Sequence, residues 1–244
     1  MKKALLRTAF LSLLATGTLL SCSNLSCSKS DGSDRKVILT GSSTVVDFLP
    51  KVKIEIVVED ALVERAIAIA RDGICVIVHR KNPVKTLSDE QVIAIYTGGI
   101  ENWKQVGGAD APITVVNKAE GRATLDLFLH YFALKNSDIH PDVVIGDNEQ
   151  GIKTVAGNPD AIGYVSIGTA EYDATNGVPI KLLPVNGVAA TLNNVGNGSF
   201  PLSRPLNLVT KSEPTGLARD FIEFARSKQV HDIVKEQYFV PLAK

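Results

Sequence analysis

The chain has 244 residues, of which 45% are hydrophobic and 6% aromatic, and its formal net charge is zero. This length and composition allow one large domain or two lobes around a buried core, as in an ordinary α/β protein. Because the sequence has no basic stripe, we do not expect nucleic acid as a partner.

Residues 1–21 are predicted to be an export signal. Two lysines and Arg7 precede an apolar run that is too short to span a bilayer. The run ends in Leu-Leu-Ser-Cys, which resembles the bacterial lipobox, so we expect Cys22 to become a lipidated N-terminus that anchors the protein. An ordinary cysteine in a leader is the alternative. Residues 22–35, rich in Ser, Asp and Gly, predict a flexible tether.

The first part of the folded body is predicted to be mostly β-structure. Residues 36–40 and 52–58 are typical of short strands, and the stretch between them can form barely more than one helical turn before a proline. Residues 66–79 contain the dipeptide Asp72-Gly73 between two apolar runs, which is typical of a two-residue hairpin. We therefore predict two strands joined by a tight turn.

The rest of the chain alternates between helices and strands. A helix is predicted from about residue 89 to 97, with Ser88 as its N-cap and two glycines at its end. The alternation favours a sheet that is parallel in part. The further predicted elements are a strand at 113–117, a helix at 124–134, a helix near 149–156, strands at 161–166 and 205–210, and a helical stripe of Leu217, Phe221, Ile222, Phe224 and Ala225.

Two glycine-containing junctions, at 41–44 (GSST) and 121–124 (GRAT), each follow a strand and precede a predicted helix. A helix N-terminus exposes unpaired N–H groups, so backbone donors and hydroxyl groups there can surround an anion. An ordinary Gly-Ser turn, or Thr124 as a simple N-cap, is the alternative for either junction alone. Two such junctions together favour an anion site, although neither matches a nucleotide P-loop.

Catalytic and metal chemistry has little support in the sequence. Cys75 and His79 lie four residues apart on a strand, about 13 Å, so they are expected to be a buried cysteine and a strand-end histidine rather than a reactive pair. The other histidines lack zinc-ligand spacing, and Ser42 and Ser43 lack the nucleophile elbow. We therefore expect no metal, no cofactor and no enzymatic activity. An exported enzyme acting on a phosphate ester is the rival hypothesis.

Five segments resemble the phosphate-binding proteins of phosphate ABC importers, within the periplasmic-type solute-binding superfamily. The segments are ILTGSSTV, IARDGICVIVHRKNPVKTLSDEQVIAIYTGGIENWKQVGG, ITVVNKAEGRATLDLF, DAIGYVSIG and GLARDFIEFARS. The resemblance implies a two-lobed α/β fold of the periplasmic binding protein type II class with mixed sheets. It implies that lobe 1 comprises residues 36–79 and 188–244, and lobe 2 residues 80–187. It also implies an exported, periplasmic or cell-envelope protein that closes on inorganic phosphate and delivers it to a membrane permease.

The resemblance further implies a set of ligand residues. The GSST loop corresponds to the phosphate loop of the first lobe, and KAEGRAT to the second-lobe motif Arg-x-x-Gly-Ser-Gly-Thr. In this chain the arginine of the motif is a lysine, its serine an arginine and its second glycine an alanine. The expected ligand residues are Ser42, Ser43, Thr44, Lys118, Gly121, Arg122, Ala123 and Thr124, with Glu120 bracing Lys118.

A segment of the family pattern has no counterpart between residues 50 and 66. In the family it carries a second serine ligand and the carboxylate that accepts the phosphate proton. No residue of the sequence is assigned to either role; Glu59 and Asp60 are acids in this stretch. We therefore expect weak phosphate binding and poor discrimination against sulfate. A phosphate-sensing or degenerate lipoprotein without a transport role is a further alternative.

Overall fold

The computed structural model describes residues 37–39, 54–56, 65–210 and 212–242. All of them belong to the unit formed by residues 36–244. The predictions for the export signal, Cys22, the tether, the loop at 41–44 and the short helix after it lie outside the described residues, as do Glu59 and Asp60.

The described elements alternate between strand and helix, as the sequence predicts. The strands are β1 (Val37–Leu39), β2 (Ile54–Ile56), β3 (Arg65–His79), β4 (Thr114–Lys118), β5 (Val143–Ile145), β6 (Ala161–Ser166), β7 (Ile180–Leu182), β8 (Ser203–Thr210) and β9 (Val240–Pro241). The helices are α1 (Asp89–Tyr96), α2 (Ala123–Phe132), α3 (Asn148–Gly157), α4 (Ile167–Thr175), α5 (Leu192–Gly196), α6 (Gly216–Ala225) and α7 (His231–Glu236). Short 3₁₀ helices occupy Trp103–Val106, Asn136–Asp138 and Lys228–Val230.

A mixed open sheet of seven strands organises the fold. Its main path runs β5-β4-β6-β3-β7, and β8 and β9 also pair with β3. Strand β4 is parallel to β5 and β6, whereas β3 is antiparallel to β6, β7, β8 and β9. Strands β1 and β2 form a separate parallel pair. The predicted mixed α/β fold class is therefore confirmed.

Strand β3 is continuous over 15 residues, so the hairpin predicted at Asp72-Gly73 is wrong. Instead of turning, the strand exchanges partners at this dipeptide: residues before it pair with β8, and residues after it pair with β6 and β7. A Cβ on Gly73 would lie 2.7 Å from Val195 Cγ2, so the glycine allows close packing rather than a turn. Partners distant in sequence therefore override the local turn signal.

Helix α1 confirms the local capping signals. The Ser88 hydroxyl accepts a hydrogen bond from Gln91 N, and the Gln91 side chain accepts one from Ser88 N, which forms a capping box. The helix ends at Tyr96, and Gly98 follows with a φ of 77°. The predicted helix at 89–97 is thus one residue too long.

Most other predicted elements agree within a few residues. The strand at 161–166 is confirmed with its bounds, and α2 and α3 each begin one residue earlier than predicted. The strands β5, β7 and β9 and the helices α4 and α5 were not predicted. In the C-terminal stripe Phe221, Ile222 and Ala225 are buried, whereas Leu217 and Phe224 are exposed. The buried stripe is therefore narrower than the sequence suggested.

Two hydrophobic clusters lie along β3. The larger one surrounds its second half and includes Trp103, Tyr96 and Tyr164, with the rings of Phe128 and Tyr164 stacked at 4.0 Å. The smaller cluster surrounds the first half of β3 and includes residues of β8, α6 and the C-terminal segment. Cys75 is fully buried and His79 nearly so, as expected for structural residues.

Within residues 65–210 and 212–242, no helix combines the length and the apolar character needed to cross a membrane.

Candidate functional site

A cavity of about 300 Å³ lies where β4, β5 and β6 end. Because these three strands are parallel, their carboxyl ends meet at one edge of the sheet, which is a common place for ligand sites in α/β proteins. The lining residues are Asp72, Lys118, Arg122, Ala123, Thr124, Gly146, Asp147, Asn148, Ser166, Thr169, Gln237, Tyr238 and Phe239.

Lys118, the last residue of β4, supplies a buried cation. The residue is only 2% exposed, and its Nζ donates a hydrogen bond of 3.0 Å to Asn148 Oδ1. Burial lowers the pKa of Lys118 to about 8, while Asp147 acts to raise it and Arg122 to lower it further. Near neutral pH the lysine is therefore charged, and an anion in the cavity would relieve the cost of burying that charge.

The start of α2 presents donors to the same cavity. Arg122 is its N-cap residue and makes no side-chain cap hydrogen bond, so the helix start keeps backbone N–H groups without a side-chain cap. Gly121 precedes it with a φ of 76°, a conformation that favours glycine. Thr124 lies within the first turn rather than at the N-cap. The arrangement suits an anion at the positive end of the helix dipole.

The start of α3, on the other side of Lys118, is closed by its own side chains. Asp147 is the N-cap residue, and its carboxylate accepts a hydrogen bond of 2.8 Å from Gln150 N. The Gln150 side chain in turn accepts one of 2.7 Å from Gly146 N. A Cβ built on Gly146 would lie 3.5 Å from Arg122 Nη2, which places the guanidinium beside this loop.

Asp72 brings a buried carboxylic acid to the cavity. It is 3% exposed, accepts a hydrogen bond of 3.0 Å from Ser166 Oγ, and lies 3.9 Å from Arg204 Nη2. Burial raises the pKa of Asp72, opposed by the charge of Arg204 and by hydrogen bonds from Ser166 and the Gly73 backbone. A carboxylate with a raised pKa is a strong proton acceptor at the wall of an anion site.

Glu120 was expected to brace Lys118, but its carboxylate contacts a different residue. Its side chain is exposed and accepts a hydrogen bond of 2.8 Å from Asn136 Nδ2. The oxygen that holds Lys118 Nζ belongs to Asn148.

The structure brings most of the described candidates together. Four of the sequence-predicted residues line the cavity, and Gly121 immediately precedes three of them, which are consecutive in the sequence. The lining residues that the sequence analysis missed are Asp72, Gly146, Asp147, Asn148, Ser166, Thr169 and the segment 237–239. Their positions in the sequence could have indicated some of them. Ser166 ends a strand, Asn148 begins the helix that follows a strand, and Asp72 is an acid within an apolar strand. The four lining residues are Lys118, Arg122, Ala123 and Thr124.

The C-terminal segment closes one side of the cavity. Tyr238 has a φ of 62°, and its ring centroid lies 5.0 Å from that of Tyr172 on α4. A Cβ on Gly168 would overlap the carbonyl oxygen of Tyr238. The absence of a side chain at position 168 therefore lets this segment approach the first turn of α4.

The titratable side chains of residues 65–210 and 212–242 bear on metal binding. There, no group of three or more His, Cys, Asp or Glu side chains is arranged to hold a metal ion.

Comparison with known proteins gives consistent matches. The sequence profile of the PBP superfamily domain matches residues 57–229. The phosphate-binding protein PstS of Bacillus subtilis is 31% identical over 183 residues, which cover 75% of this chain and 58% of that protein. The chain thus spans less than two thirds of that relative.

Solved structures are similar over most of this chain. A substrate-binding protein assigned to phosphate ABC transport from Clostridium perfringens, crystallised with phosphate, is 29% identical with a TM-score of 0.68. The match covers 86% of this chain and 100% of that one. An ABC-type phosphate transport receptor from Vibrio cholerae has a TM-score of 0.71 at 23% identity, covering 84% and 99% of the two chains. The second match supports the fold alone.

Proposed function

The chain belongs to the PBP superfamily, and from this membership we propose that it is an extracytoplasmic solute-binding protein that captures inorganic phosphate, or a similar oxyanion, for an ABC importer. Its fold is the two-lobed α/β fold of periplasmic binding proteins, as predicted. The observation that carries the proposal is the convergence of buried Lys118, Arg122 and the start of α2 on one cavity.

The charge of this wall favours an oxyanion. Lys118 and Arg122 supply two cations, and the first turn of α2 supplies backbone N–H groups and the Thr124 hydroxyl. Such donors bind tetrahedral oxyanions through several charge-assisted hydrogen bonds at once. Because Lys118 is buried and Arg122 is exposed, Lys118 is proposed to make the stronger contact.

Asp72 makes phosphate a better fit than sulfate. Phosphate near neutral pH carries a proton to donate, whereas sulfate is fully ionised and would place an oxygen against the carboxylate. We assign to Asp72 the proton-acceptor role that the sequence analysis left without a residue. On this assignment, discrimination against sulfate is expected to be better than the shortened first lobe suggested.

The remaining parts of the proposal rest on the sequence. Residues 36–79 with 188–244 are proposed as lobe 1 and residues 80–187 as lobe 2. Ser42, Ser43 and Thr44 are proposed to contact the ligand from lobe 1. Cys22 is proposed as the lipid anchor, which would hold the protein at the cell envelope beside the permease.

Binding without catalysis agrees with the comparisons, since the proteins named above are described as binding proteins or a receptor. A phosphate-sensing or degenerate lipoprotein would use the same cavity and is the second candidate. Transport and sensing differ in the partner, whereas phosphate capture is common to both.

Calorimetric titration of the purified chain without its leader tests phosphate capture directly. Phosphate, sulfate and buffer alone are titrated at matched ionic strength. We expect saturable phosphate binding that is lost in Lys118→Ala and retained in Lys104→Ala, whose lysine pairs with Asp110 at the surface. Absence of saturable heat with either anion would refute the proposed function.

A further inference from the structure

We propose, on the premise of the oxyanion site above, that Asn148 is a positioning residue: it fixes the Lys118 ammonium at the cavity wall and leaves its positive charge free for the ligand.

A single amide oxygen joins two strand ends at this point. Asn148 is the first residue of α3, and its Oδ1 accepts hydrogen bonds from Lys118 Nζ at 3.0 Å and from Ser166 N at 3.3 Å. Lys118 ends β4 and Ser166 ends β6. The side chain of Asn148 therefore sets the position of the ammonium group relative to the Ser166–Asp72 side of the cavity.

The Asn148 amide that accepts the hydrogen bond from Lys118 is neutral, so it does not neutralise the positive charge that attracts the ligand. A carboxylate at the same place would form an ion pair with Lys118 and cancel much of its field. The nearby acids hold other donors, since Asp147 accepts from Gln150 N and Glu120 from Asn136 Nδ2. The amide thus orients the lysine without competing with an anion.

Two charged groups act on the Lys118 ammonium, and further titratable groups line the same cavity or contact the lysine backbone. Asp147 favours its charged form and Arg122 disfavours it, while the Tyr164 hydroxyl accepts a hydrogen bond of 3.4 Å from Lys118 N. Asp147 and Arg122 belong to the loops before α3 and α2, Asp72 of β3 and Tyr238 of the C-terminal segment line the same cavity, and Tyr164 of β6 contacts the Lys118 backbone.

Two substitutions separate positioning from a purely structural role. Asn148→Asp keeps the shape of the side chain and adds a negative charge, so the pKa of Lys118 should rise and anion affinity should fall at least about tenfold. Asn148→Ala removes the acceptor, so the pKa of Lys118 should fall and anion affinity should decrease roughly threefold to tenfold. Both variants should weaken anion binding, but they should shift the pKa of Lys118 in opposite directions.

The measurement is an NMR titration of lysine side chains in the ligand-free chain, with the Lys118 signal assigned by its loss in Lys118→Arg. Phosphate titration of the same samples follows. The matched control is Asn193→Asp, which adds the same charge to the first turn of α5, outside the residues that line the cavity.

Opposite shifts of the Lys118 titration in the two Asn148 variants, with weaker phosphate binding in both and neither effect in the control, would support the inference. An unmoved Lys118 titration in both variants would overturn it. If Asn148→Ala does not fold, the isosteric Asn148→Asp decides alone. The lysine titration needs no ligand, so it tests the effect of Asn148 on Lys118 independently of phosphate binding. A wild-type chain that binds no phosphate would refute only the proposed function.

Discussion

Ser166 Oγ donates a hydrogen bond of 3.0 Å to Asp72 Oδ1, and this contact joins the end of β6 to the middle of β3 at the cavity wall. The two residues are 94 positions apart in sequence. Asp72 also faces Arg204 of β8 at 3.9 Å. The acid therefore lies where β3 exchanges one set of partner strands for the other.

Asp72→Asn should reduce the preference for phosphate over sulfate. The amide no longer takes the phosphate proton, and its NH₂ group can donate to a sulfate oxygen. At about 1.5 to 3 kcal/mol for a hydrogen bond to a charged group, the ratio of the two dissociation constants should change by roughly tenfold to hundredfold. Competitive titration at constant ionic strength measures it, with the surface variant Asp110→Asn as control. An unchanged ratio would remove Asp72 from the proposed acceptor role.

Lys118→Ala combined with Arg122→Ala should weaken anion binding by about 3 to 6 kcal/mol, because each charge-assisted hydrogen bond contributes about 1.5 to 3. The single Lys118 variant should cause the larger part, since its ammonium is buried whereas Arg122 is exposed. Calorimetry on the two single variants and the double variant measures this. Wild-type affinity in the double variant would mean that the ligand binds elsewhere.

Sulfate affinity should fall as the pH rises above about 8. Burial lowers the pKa of Lys118 to about 8, so below that pH the ammonium is charged and above it the cation is lost from the empty site. Sulfate does not change its charge in this range, so the loss, up to about tenfold per pH unit, reports on the protein. Lys118→Arg keeps its charge and should give a flat profile. Parallel profiles for the two proteins would contradict the assignment.

Gly168→Ala should destabilise the fold and weaken anion binding together. The new Cβ would overlap the Tyr238 carbonyl oxygen, and a backbone atom cannot rotate away as a side chain can. A cost of about 1 to 3 kcal/mol is typical for such overpacking. Urea unfolding measures it, with Gly157→Ala as the control because its Cβ would meet nothing within 4 Å. Equal stability of the two variants would show that the backbone of segment 237–239 can move away from the new Cβ at little cost in free energy.

Cys22→Ala should release the protein from the membrane fraction of the cells that export it. The expectation follows from the lipobox-like end of the leader, and fractionation followed by detection of the chain measures it. Cys27→Ala, in the predicted tether, is the matched control and should stay in the membrane fraction. Retention of both variants on membranes would dismiss Cys22 as the anchor.

Local signals predicted those parts of the fold that local interactions determine. The capping box at Ser88 and the six buried residues of β6 are examples, because their caps and apolar runs are short-range features. The Asp72-Gly73 hairpin failed for the opposite reason. Asp72 is satisfied by Ser166 and Arg204, neither of which is near it in sequence, so a strong turn dipeptide is held straight.

The candidate site likewise combines residues from one local sequence motif with residues that only the tertiary structure brings to the cavity. Lys118, Arg122 and Thr124 belong to one continuous motif and could be predicted together. Asp72 and Asn148 reach the cavity from β3 and α3, and their roles exist only after the sheet has placed three strand ends side by side. A polar residue within an apolar strand signals that it has a partner, but it does not identify the partner.

Strand β3 also has a consequence for how the chain reaches its native state. The partners of β3 among the described strands all follow it along the chain, and the contact of Cys75 with Val165 spans 90 residues. During synthesis this strand therefore emerges long before β6 can pair with it. Residues 74–78 are apolar and almost completely buried in the fold. Until β6 has been synthesised, they form an unpaired apolar strand edge that favours aggregation. The nascent chain should depend on holding chaperones until at least β6 has emerged.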